Sequence, residues 1–124
     1  MAEQPRADVR NAADRRQVET ARRRERRLHR ERLERYRVTL QTYDGRAVLW
    51  DLLERLGVYR SVWDPGARIH YNAGRQDAGH ELMATVLEAD EQGYARMAAE
   101  ARERTRRDDA ERDAAHVASA QEQE

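Results

Sequence analysis

Cysteine is absent from the 124 residues, which removes disulfides, thiolate nucleophiles and cysteine-ligated metal from consideration. Lysine is absent too, so all 24 basic residues are arginine. A guanidinium-only set suits bidentate recognition of carboxylate and phosphate, although the codon usage of a GC-rich genome is the plainer source. No apolar run approaches the ~20 residues of a membrane span, and the N-terminus lacks the apolar block of a signal peptide. These absences lead us to expect a protein made in a cytoplasm and held there until an assembly takes it up.

What is present is charge. Charged residues make up 39% of the chain, well above the usual quarter, so part of the length must be solvated rather than buried. The length itself suits one domain. The net charge of zero hides an asymmetry: residues 1–37 hold 13 Arg against 7 acids, 38–97 hold 6 against 9, and 98–124 hold 5 against 8. A basic arm precedes a mildly acidic body and tail.

The pattern predicts an all-α fold: a small helical core with a long charged N-terminal helix and an extended C-terminal helix. Residues 1–13, with Pro5 and no apolar periodicity, read as a disordered leader. Asp14 reads as the N-cap of an Arg-rich helical arm over 14–39, since neither Gly nor Pro interrupts it. Its apolar stripe is thin, and only Leu33 to Leu40 is expected to dock. Pairs such as Glu19 with Arg23 support it by a few tenths of a kcal/mol each.

Apolar density rises over 40–97, the expected compact core. Tyr43 to Arg46 reads as a turn in which Asp44 caps a helix, AVLWDLLERL, ended by Gly57. Apolar residues around most of that helix place it centrally in the core. Val58 to Trp63 reads as a non-helical crossing, closed by the Asp64-Pro65-Gly66 turn. A further helix follows to Ala89, in which Gly74 and Gly79 each cost about 1 kcal/mol relative to Ala and imply close approach of a neighbour. Asp90 caps a last helix whose inward residues are Tyr94 and Met97. Beyond lies a charged helical extension and tail, 98–124, with Glu100–Arg104 and Glu103–Arg107 as its local pairs. Leu49, Trp50, Leu53, Leu56, Trp63, Leu82, Val86 and Tyr94 form the expected core. At some 55 to 60 residues such a core buries only about 60% of its unfolded surface; burial against a partner would help it.

No catalytic residue, cofactor site or metal site is expected. The four histidines share no short ligand spacing; Asp77, His80 and Glu81 are the nearest cluster and read as a solvated helix face. There is no phosphate-binding Gly-rich loop, no G-x-S-x-G and no H-E-x-x-H. The sharpest signal is ARRRERRLHRER, where Arg22, Arg23, Arg24, Arg26, Arg27 and Arg30 could meet phosphates. Interrupting glutamates and the lack of interleaved aromatics favour a solvated or protein-facing arm over nucleic-acid contact. Asn72 and Arg75 have two readings: helix start and surface, or an Arg75 pair with Asp44 or Asp51.

Four pieces in order carry a resemblance: Asp44-Gly45-Arg46 before an apolar helix, the segment from Leu53 to Tyr59 with its L-G-V-Y ending, Tyr71-Asn72-Ala73-Gly74-Arg75, and Asp90 to Glu100 with Tyr94 and Met97 between. Together they resemble the small tailed-phage domain family named after a Bordetella phage protein. The resemblance implies a small helical protein encoded among packaging and virion-structure genes, often beside terminase and portal. It raises the expectation of a non-enzymatic, virion-associated structural protein, present in multiple copies or as a homo-oligomer on a portal, head-to-tail or internal-core assembly. Its expected location is the host cytoplasm during assembly and then the virion. A nucleic-acid-binding or DNA-packaging accessory is the alternative, separable from it by salt-dependent binding to DNA.

Overall fold

A computed structural model of the chain describes the backbone of residues 4–123 and the side chains of residues 9–123. Among the described residues the fold is all-α, with four helices and no strand: α1 Gln4–Leu40, α2 Tyr43–Arg55, α3 Arg68–Ala89 and α4 Glu91–Glu122. The chain divides into two compact units, residues 1–35 and 36–124.

The first unit is helix throughout its described length. It starts at Gln4 rather than Asp14, so the leader expected over 1–13 is helical from residue 4; residues 1–3 lie outside the described residues. Pro5 does not prevent this, because the first four N–H groups of a helix have no internal partner to lose. Asp14, ten residues in, caps nothing. Every residue from Val9 to Arg32 is solvent-exposed.

The second unit holds the core. Leu40, Leu49, Leu53, Val86 and Met97 are buried together, with Tyr36, Trp50, Val58, Leu82, Met83 and Tyr94 packed around them. Leu53, Val86 and Met97 are wholly buried. Burying a side chain of this size is worth about 1.5–3 kcal/mol, so a handful of residues from three helices and the end of α1 carries most of the hydrophobic stabilisation.

The cap of α2 differs from the expected one. Thr42, not Asp44, is the N-cap, its hydroxyl accepting from the Gly45 N–H at 3.0 Å. Asp44 instead sits in the first helical turn, where a negative charge suits the positive end of the helix. Gly45 is required by close approach, because a Cβ there would run into the Thr39 carbonyl. At the other end Gly57 takes φ +79°. Its N–H donates to the Glu54 carbonyl at 3.0 Å and that of Val58 to the Leu53 carbonyl at 3.2 Å, the paired bonds of a Schellman ending.

Two core assignments need correction. Trp63 is 71% exposed: the crossing segment turns its indole outward. Helix α2 is one-sided rather than central, since Leu49 and Leu53 are buried while Val48 and Leu52 are exposed; it packs on α3 and α4 through one face and leaves the other to solvent. Leu56, Trp50, Leu82 and Tyr94 are half-buried.

Helix α4 is capped by Asp90, whose carboxylate accepts from the Gly93 N–H at 2.9 Å. It runs without interruption to Glu122, so the expected disordered tail is helical as far as described. No Gly or Pro follows Gly93 to stop it. The expected ion pairs of this stretch are replaced by others. Glu103 pairs with Arg106 at 2.7 Å, Glu100 turns to Arg46, and Arg104 donates to the Tyr43 hydroxyl at 3.0 Å while lying over its ring.

Candidate docking surfaces

The six arginines singled out in the sequence, Arg22, Arg23, Arg24, Arg26, Arg27 and Arg30, are all exposed on α1. A helix turns 100° per residue, so Arg22, Arg23, Arg26, Arg27 and Arg30 project over a sector of about 140°, and Arg15 and Arg16 extend it nearly two turns back. Arg24 stands to one side. Glu19 falls within the sector and holds Arg23 at 2.9 Å. Thr20 lines a shallow groove with Arg23, Arg24, Arg26, Arg27 and Arg30. No aromatic residue lies between Asp14 and Leu33, so this surface offers charge and hydrogen-bond donors but no stacking platform.

The end of α4 has the opposite character. Residues 108–124 contain six acids and one Arg, whereas residues 15–30 contain eight Arg and two acids. From Asp108 to Gln123 every residue is exposed, Val117 included. Within this stretch Arg112 pairs only loosely with Asp109, at 3.9 Å.

In the second unit the polar residues of the recognised motifs are largely used up within the fold. Arg46 is the one charged residue in the buried set. Its Nε donates to both Glu100 oxygens at 3.0 Å, Nη1 donates to the Leu40 carbonyl at 2.8 Å, and Nη2 lies 2.8 Å from Glu100. The hydrogen bond to the Glu100 carboxylate raises the Arg46 pKa above the usual arginine value, so the guanidinium is a fixed charge. This pair ties the first turn of α2 to α4 and closes the end of α1. Sequence reasoning did not find it, although a signal existed: Met97, Glu100 and Ala101 occupy one face of α4 at i, i+3 and i+4.

A second set fastens the crossing segment to α3. Gln76 donates to the carbonyls of Gly57 and Arg60 at 3.0 and 2.9 Å, Asn72 to that of Val62 at 3.4 Å, and Arg75 to that of Arg55 at 2.6 Å. Arg75 therefore pairs with neither Asp44 nor Asp51; it satisfies a carbonyl at the end of α2, where a cation suits the helix dipole. Asp51 holds Arg55 instead. Arg55, Arg60 and Arg75 line a cavity of about 150 Å³ with Ser61, Val62 and Asn72. Alongside, Trp50 stacks on Tyr59 with centroids 4.7 Å apart, and the Tyr59 and Tyr94 hydroxyls meet at 2.8 Å. Burial and the Tyr94 hydroxyl push the Tyr59 phenol well above the ordinary tyrosine range.

Asp77, His80 and Glu81 are exposed, and among the described residues no group of three or more His, Asp or Glu converges to hold a metal ion. No helix among them is long and apolar enough to cross a membrane.

A family model described as Bbp19-like phage protein matches residues 36–99. The match starts at Tyr36, where the second compact unit also starts, and covers the core from the end of α1 into the first third of α4. No curated protein and no solved structure matches the chain at a significant level.

Proposed function

Because the chain belongs to the family of Bbp19-like phage proteins, we propose that it is a non-enzymatic structural component of a bacteriophage particle. It docks in several copies on the portal, the head-to-tail joint or an internal core assembly, and uses the Arg-rich face of α1 as its arm. The observation that carries this reading is the contrast between the two units. In the core, Arg46, Asn72, Arg75 and Gln76 are engaged internally. On the arm the arginines stand exposed along α1. Exposed arginines in such density favour an extended partner surface, because each contact alone is weak and many must act together. The protein would be made in the host cytoplasm and carried into the virion.

Mass analysis of purified particles tests the reading: the chain is expected among the particle proteins at more than one copy per virion, and its absence would overturn the proposal. A second reading, an accessory that contacts DNA during packaging, draws support from the roughly 140° sector of arginine on α1. It requires binding to duplex DNA that weakens steeply with salt, and a shallower salt dependence once Arg22, Arg23, Arg26 and Arg27 are replaced by Gln. Binding indifferent to salt would exclude it.

A further inference from the structure

Among the described residues, Arg22, Arg24, Arg26, Arg27 and Arg30 make no ion pair within the chain, and the only carboxylate pairing on their face is Glu19 with Arg23. A helix surface of that charge density lowers its energy by taking up a polyanion. The sequence contains an acidic stretch of nearly the same length. Residues 15–30 carry eight Arg against two acids, and residues 108–124 carry six acids against one Arg. Both stretches are helical where described and both are exposed. At 1.5 Å per residue each spans about 24 Å, with four of the six acids gathered in residues 108–113 and six of the eight arginines gathered in residues 22–30.

We propose that the basic face of α1 is the docking site for the acidic end of α4 of a second copy of this chain. The inference deepens the multi-copy reading above and rests on it. A second copy fits better than nucleic acid on two grounds. The arm has no aromatic residue to stack an unpaired base, and an acidic helical stretch of matching length is encoded in the same chain. A second copy also accounts for the balance of the chain, 24 basic against 24 acidic residues: each molecule brings one basic and one acidic helix, and the assembly neutralises itself.

The surface given differs from the surface received, so two copies can satisfy each other reciprocally as a closed dimer, or each can pass its free end to a further copy and build a ring or a filament. Rings are the form that multiple copies around a symmetric phage assembly would take. Exposed ion pairs are weak and screened by salt, so the contact is reversible and sensitive to ionic strength.

Sedimentation velocity of the full chain over a concentration series at low and high salt, with two charge-reversed variants, tests it. One variant carries Arg22→Glu, Arg23→Glu, Arg26→Glu and Arg27→Glu; the other carries Asp108→Arg, Asp109→Arg, Glu111→Arg and Asp113→Arg. Far-UV circular dichroism checks that both remain helical. The unaltered chain is expected to associate at low salt and to weaken at least about tenfold at high salt, as expected for about four exposed pairs. Each variant alone is expected to be monomeric, since its two helices now bear like charges. An equimolar mixture is expected to associate again, because each restores the other's missing complement.

A monomeric unaltered chain at every concentration would overturn the proposal, as would a mixture that stays monomeric. Loss of DNA binding in the first variant with no change in mass would assign the arm to nucleic acid instead. Particles that contain the chain while the purified protein stays monomeric would refute the pairing and leave the virion reading standing; association in solution with no chain in particles would overturn the virion reading, and with it the ground on which this pairing rests.

Discussion

Gly74 and Gly79 lie five residues apart in α3, and replacing each with Ala is expected to move stability in opposite directions. The propensity term is common to both: Ala in place of Gly inside a helix is worth about 0.8–1 kcal/mol. At Gly74 nothing lies within 4 Å of where a Cβ would stand, so the whole gain should appear. At Gly79, which is buried, the same atom would fall inside van der Waals contact with Val58 Cγ2 and 3.0 Å from Leu56 Cβ. Val58 is β-branched and stiff at χ1, and the Leu56 atom is fixed to the backbone, so neither moves freely. Overpacking of this kind costs about 1–3 kcal/mol.

Subtracting the common gain leaves Gly79→Ala between neutral and about 2 kcal/mol less stable, while Gly74→Ala is about 1 kcal/mol more stable. The gap between the two variants isolates the collision. At its midpoint of about 2 kcal/mol it corresponds to roughly 8–16 °C in Tm for a domain of this size. Thermal unfolding followed by circular dichroism at 222 nm measures both variants in one experiment. Adding Val58→Ala to Gly79→Ala removes the nearest clashing methyl and should recover part of the loss. Equal stabilisation by both single substitutions would refute the argument, because α3 would then have no close contact at Gly79.

Further substitutions probe the rest of the core. Leu53→Ala, at a wholly buried position, should lose about 2–5 kcal/mol in denaturant unfolding with little change in m-value. Arg46→Met and Glu100→Gln should each lower Tm, and the double variant should lose clearly less than the sum, since both break the same buried contact; strict additivity would show that the pair is not coupled. The raised Tyr59 pKa means that its contribution to stability is fully present below the ordinary tyrosine pKa of about 10 and is lost as pH rises beyond it. Tyr59→Phe should therefore flatten the fall in Tm above pH 10, and an unchanged alkaline profile would exclude this residue as its source.

The helix order, the crossing segment, the Gly57 and Asp90 caps and most of the buried apolar set could be read from the sequence, because they rest on local chemistry: a positive φ favours glycine, a carboxylate accepts from the third N–H, and apolar residues recur at 3.6. Gly74 and Gly79 show where local reading ends. They carry the same propensity cost, and only the position of Val58, some twenty residues away, distinguishes them. Trp63 was misplaced for the same reason, since its size speaks for burial while the direction of an irregular segment is set by what holds it. Those anchors are the Gln76 and Asn72 side chains one helix further on. Pairing in α4 went astray because helical spacing allows Glu100 to meet Arg104, whereas a more buried guanidinium, Arg46, competes for the same carboxylate and wins.

The motifs by which the family is recognised are mostly fold residues. Arg46 and Glu100 tie helices together, Asn72 and Arg75 hold a loop and a helix end, Asp90 caps, and Met97 is buried. A family resemblance built on such residues identifies the scaffold, and their bonds are already committed inside it. The capacity for new contacts lies where charges are exposed, over residues 15–30 of α1 and along α4 beyond the matched residues. Both stretches are strongly charged and of opposite sign. Screening makes single charges on such surfaces nearly worthless for stability, so a long helix that presents eight arginines in sixteen residues does little for its own fold. In the proposed multi-copy role the same weak contacts act together, and their sum depends on how many copies are present.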